Sequence, residues 1–167
     1  MSNVKVNLIA DMWQSSINAT VGAAEKVPEA KRMSQLQDGK MHPTWLLGHL
    51  AFAASFPAMT IALGKRPVVP SDWLQKFGPD FAGGEPITSD ASNYPSWDET
   101  LDGYKKSGEA LVAAIRELDD SDLDGGAKGE VPDALKDRFE SLGGVLVSFI
   151  GHNAYHTGQM NLIAALD

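Results

Sequence analysis

Apolar residues recur every three or four positions in four stretches of the chain, the spacing that gathers them on one side of a helix and lets neighbouring helices share a seam. The first seam runs Val6, Ile9, Trp13, Ser16, Thr20, Ala23 and Val27. It is broadened by Met12, Ile17 and Val21 and closed by Pro28, which cannot continue a helix. The second runs Trp45, His49, Phe52, Phe56, Met59 and Leu63, with Pro43 suited to a first turn and Gly64 to a helix end. The third opens with Ser96 and, three residues on, Glu99, the pattern of a capping box. It continues through Trp97, Leu101, Tyr104, Gly108, Leu111, Ile115 and Leu118. The fourth lies within Ser141–Leu166 and is carried by Leu142, Val145, Phe149, His152, His156, Gln159, Ile163 and Leu166. No stretch alternates at period two with β-branched enrichment. The pattern therefore predicts an all-α protein, a four-helix bundle forming one domain over residues 1–167.

Between the second and third stretches lie about thirty residues rich in Pro and Gly, Lys65 to Pro95, a length that in a compact domain marks a functional cover, a crossover or disorder. Trp73, Phe77 and Phe81 predict that this segment docks on the bundle, because aromatic side chains seldom stay solvated in a linker. A second connection, Asp119 to Glu140, starts acidic, carries Gly125 and Gly126, and is expected to form a short helix at Pro132 to Phe139. With links this long, the order and direction of the helices do not follow from loop length.

Composition narrows the function classes. A content of 43% hydrophobic residues over 167 residues suffices for a sizeable core without disulfides. The net charge of −8, with no clustered Lys/Arg patch, repels phosphate backbones and anionic lipid heads and argues against a nucleic-acid partner. The absence of cysteine removes thiolate zinc sites and cysteine nucleophiles, leaving His, Asp and Glu as the strong ligands and bases. No basic-then-apolar leader pattern opens the chain, and no apolar run is read as approaching the roughly 18 residues of a membrane span. The expectation is a soluble, cytoplasmic protein with no membrane partner.

Candidate chemistry concentrates on the histidines. His152 and His156 stand four residues apart in one helical stretch, so their rings project from the same face one turn apart. That spacing alone is a weak signal. His49, however, also falls on a seam position, in a different helix, and a polar ring on a buried seam needs a partner. Three neutral imidazoles converging between two helices can hold a divalent ion and leave a position for water or a substrate atom. His42 precedes proline and lies two turns before His49, so it reads as a cap or surface residue. Gln159 reads as either a hydrogen-bond partner of His156 or an interhelical polar contact, and Gly158 as a site of close helix approach. The bland alternative is a bundle whose histidines only hydrogen-bond in the core and whose role is dimerisation.

The segment Trp45-Leu46-Leu47-Gly48-His49-Leu50-Ala51, followed by Gly151-His152-Asn153-Ala154-Tyr155-His156-Thr157-Gly158-Gln159, resembles the DinB/YfiT-like superfamily of metalloenzymes over nearly the whole chain, Pro132 to Phe139 included. The resemblance implies a four-helix bundle holding a divalent ion (zinc, nickel or a similar metal) on His49, His152 and His156. It also implies thiol-dependent transferase, isomerase or hydrolase chemistry on a small-molecule substrate, with a low-molecular-weight thiol as cosubstrate, and a homodimer. Where the family pattern has an acidic residue after the first histidine of the pair, this chain has Asn153, whose amide takes no proton at neutral pH. The candidates for moving a proton are then an ion-bound water, Tyr155, or a loop carboxylate such as Asp72 or Asp80. The expected activity is a metal-dependent transferase or hydrolase acting on a small electrophile. The alternative is a metal-binding stress or sensor module without turnover.

Overall fold

The computed structural model describes residues 3–79 and 83–166. Its helices are α1 (Val4–Ala24), α2 (Pro43–Ala53), a short α3 (Trp73–Phe77), α4 (Trp97–Arg116) and α5 (Leu142–Ala165). Among the described residues there is no strand, so the all-α expectation holds. Helix α1 packs on α4 and α5, and α2 packs on the same two, which closes the four long helices into a ring ordered α1, α4, α2, α5. Ser16 meets Asn153 and Thr20 meets Thr157, so α1 and α5 run side by side in the same direction.

The helix ends follow from local chemistry. Ser96 and Glu99 form the reciprocal capping box on α4. Ser141 accepts from the Gly144 N–H at the start of α5, and His42 Nδ1 accepts from the Trp45 N–H ahead of Pro43 at the start of α2. Helix α1 has no cap of its own. Asp120, 114 residues downstream, accepts from the Val6 N–H at 2.9 Å and places a carboxylate at the positive end of that helix.

All eleven residues of α2 are buried, as expected of a helix apolar on every side. Each fully buried leucine, such as Leu46 and Leu47, contributes about 1.5–3 kcal/mol. By length and composition alone Pro43–Ala62 would cross a membrane, contrary to the sequence reading, but 78% of its most apolar window is buried inside the fold. Its apolarity is spent on the core. The second seam is also not one regular helix: Ala54–Ala62 is π-wound around Pro57, whose missing N–H and ring displace the usual bond. The wider turn leaves Phe56, a predicted seam residue, only half buried. Ser55 Oγ in this segment accepts from the Val68 and Val69 N–H groups and anchors the following loop.

The long connection docks through two aromatic rings seated on glycines. Phe77 is fully buried against Gly48 of α2, and Trp73 lies against Gly103 of α4; a Cβ on either glycine would collide with the ring above it. Phe81, expected to join them, and Asp80 lie outside the described residues. The short helix expected before α5 is present as a 3-10 helix, Asp133–Phe139, with Phe139 buried.

Candidate metal centre

His49 sits midway along α2, and His152 and His156 lie one turn apart on α5, the helix packed against it. Their Nε2 atoms converge: His152 Nε2 is 3.2 Å from that of His49 and 3.1 Å from that of His156. One ligand atom from each of the three residues lies within 4.8 Å of the others. His49 and His156 are buried. His152 is half buried, more open than its seam position implies.

The far nitrogens decide the tautomers. His49 Nδ1 lies 2.8 Å from the Phe77 carbonyl, which only accepts, so Nδ1 carries the proton. His156 Nδ1–H likewise donates to Gln159 Oε1 at 2.6 Å. Both rings therefore present bare Nε2 lone pairs, and His152 Nε2, with at most one proton, cannot satisfy both. A proton deficit of this kind is what a cation resolves. The spacing fits as well, since tetrahedral zinc with Zn–N bonds of about 2.0–2.1 Å separates its nitrogens by about 3.3 Å. The donor set thus suits a divalent metal ion.

Electrostatics keeps the rings in the ligating form. Burial pushes His49 down to about 4, against the raising effect of the Phe77 carbonyl, with His156 lowering it further. His152 is lowered to about 3 by burial first, then by His156, His49 and Arg138. His156 is lowered by burial, partly offset by its bond to Gln159. All three are neutral at pH 7, so a metal ion has no proton to displace there. Around them the Trp45 ring stacks on His49 (4.7 Å, 9° between planes), and Phe149 stands edge-on to His152 at 6.2 Å.

The other predicted site residues are placed as follows. Tyr155 is exposed, with its ring 5.1 Å from that of His156 and its hydroxyl accepting from Gln159 Nε2. Asp72 pairs with Lys76 and lines a cavity of ≈ 470 Å³ with Trp73, Tyr94 and Glu99; none of the three histidines lines that cavity. Asn153, read as flanking the seam, is buried, and its side chain turns to α1 and α4 rather than to the histidines. His42 is the cap expected of it, but fully buried. Gly158 is exposed with no neighbour where a Cβ would go, so it serves no close approach; Gly48 and Gly103 do. The sequence reading missed the Phe77 carbonyl, a backbone group that no residue type announces.

An all-α ring of helices with a three-histidine, metal-ready cluster between α2 and α5 defines a helical protein with a candidate metal centre. The family comparison agrees with that class. The DinB superfamily model matches residues 12–160, a span that holds all three histidines, and the chain belongs to that superfamily. No curated protein matches the chain.

Proposed function

We propose that this protein is a divalent-metal-dependent transferase or hydrolase, in which His49, His152 and His156 hold an ion that activates a low-molecular-weight thiol or a water toward a small electrophile. The observation that carries this reading is the set of Nε2 lone pairs that the protein leaves short of protons. When bound, a divalent ion supplies Lewis-acid stabilisation of an anionic nucleophile at neutral pH. The chain's own groups do the rest. The Phe77 carbonyl and Gln159 fix two imidazoles with their lone pairs inward. Trp45 and Phe149 exclude water from one side. Tyr155 is the candidate proton carrier at the rim, joined to His156 through Gln159. Asp72, on another cavity, receives no role. A homodimer belongs to the same reading and is supported by the large apolar residues exposed on the adjoining helices α1 and α5, among them Leu8, Met12, Val147 and Leu162.

The cavity beside the loop lacks the histidines, and this favours a second reading, a metal-binding stress or sensor module without turnover. The two are separated by following a chromogenic electrophile, 1-chloro-2,4-dinitrobenzene, with a panel of small thiols and metal-loaded protein. The enzyme reading expects consumption above the uncatalysed rate that disappears in His156→Ala. Stoichiometric metal with no turnover of any thiol, and none by hydrolysis of an activated ester, leaves the sensor.

A further inference from the structure

Arg138 is a cation set against an aromatic ring rather than paired with a carboxylate. It lies exposed in the Asp133–Phe139 turn and enters no ion pair among the described residues, although Asp137 and Glu140 are close in sequence. Its guanidinium carbon stands 5.3 Å over the face of Phe149, the ring that stands edge-on to His152. A cation–π contact uses up none of the guanidinium's hydrogen-bonding groups, so the N–H groups turned away from the ring remain able to donate. Arg138 is thus one aromatic ring removed from the histidine cluster, and its guanidinium makes no hydrogen bond to another described residue.

The charges around the cluster point the same way. The chain carries 22 Asp and Glu residues, yet the ligand cluster is three imidazoles with no carboxylate among them. Three imidazoles leave a divalent ion's charge uncompensated, and Arg138 adds to it. A positive centre inside an acidic protein suits an anionic guest, and a guanidinium matches the two oxygens of a carboxylate.

We propose that Arg138 is the carboxylate-recognition residue of the metal centre, and that the thiol this site takes is a small one bearing a carboxylate, its sulfur directed to the ion and its carboxylate to the guanidinium. The proposal rests on the three-histidine metal reading and names its ligand class. Such charge-assisted bonds contribute about 1.5–3 kcal/mol, which is about ten- to a hundredfold in affinity.

The test is binding rather than turnover. Tag-free protein is loaded with Co2+ and titrated with 3-mercaptopropionate or with its uncharged counterpart 3-mercapto-1-propanol, following the thiolate-to-cobalt charge-transfer band. The expected result is a preference of about tenfold or more for the carboxylate. That preference collapses in Arg138→Gln and is partly kept in Arg138→Lys, while cobalt stoichiometry stays the same in both and affinity for the uncharged thiol falls far less than that for the carboxylate. Equal binding of the two thiols, or a preference that survives Arg138→Gln, overturns the proposal and leaves the metal centre standing. Failure of Co2+ to bind through the histidines overturns both together.

Discussion

Adjacent residues of α5 enter two different polar clusters. His152 and His156 face α2, while Asn153 and Thr157 face α1 and α4. In the second cluster donors and acceptors balance within the protein. Tyr104 donates to Asn153 Oδ1 at 3.0 Å, Asn153 Nδ2 donates to Ser16 Oγ and Thr20 Oγ1, each at 2.8 Å, and Thr157 donates to the Asn153 carbonyl at 2.7 Å. Burial pushes the Tyr104 phenol up to about 12, so it remains a proton donor throughout. The histidine cluster is equally well placed but does not balance: its lone pairs meet one another with too few protons between them. A polar cluster that closes on itself is architecture, whereas one that closes only with a cation is a ligand site.

The sharpest way to break this contrast is to cut each cluster and read both metal binding and stability. His49→Ala or His156→Ala removes one of three ligands and should weaken zinc binding by more than about a hundredfold by competition with a chelating dye, while the fold persists. Asn153→Ala should do the reverse. It leaves buried hydroxyls without partners and costs about 2–4 kcal/mol in urea unfolding, with zinc stoichiometry intact. Loss of zinc without loss of stability in Asn153→Ala would erase the distinction. Gly48→Ala lifts Phe77 off α2 and with it the carbonyl that orients His49, and about a tenfold or greater loss of zinc affinity is expected although no ligand is touched. Gln159→Ala should cost about tenfold through His156.

The smallest expected effect is in the pH profile of the metal-free protein. His42, lowered to about 4 by burial against the raising effect of the nearby Thr88 and Arg32 backbone, gains a proton more easily unfolded than folded. Its contribution to stability is complete above its unfolded value of 6.5 and is lost as pH falls toward about 4. His49 and His152 act in the same direction. Unfolding midpoints should therefore fall between pH 6.5 and 4, and His42→Asn, which keeps a capping oxygen but does not titrate, should flatten part of that slope.

The same contrast shows what was legible in the sequence. Helix starts were, because Ser96 with Glu99 and His42 with Pro43 announce themselves through side chains that bond to nearby backbone. The meeting of His49, His152 and His156 was, because imidazoles on two apolar stripes have few uses. Groups whose role depends on tertiary neighbours were not. Asn153 reads as a polar residue on a helix flank until α1 and α4 supply its partners. The Phe77 carbonyl has no signature at all, and Arg138 stands out only once the Phe149 ring is seen beneath it. Pro57 was the one overlooked signal, and its π-winding displaced Phe56 from the predicted seam.

The most direct test of the central claim is zinc X-ray absorption on protein purified without a histidine tag or a nickel column, combined with elemental analysis. The account predicts one zinc per chain with three imidazole nitrogens at about 2.0–2.1 Å and a remaining position filled by an exchangeable oxygen ligand. A chain that takes up no zinc, or zinc whose spectrum is the same in His49→Ala, would contradict it.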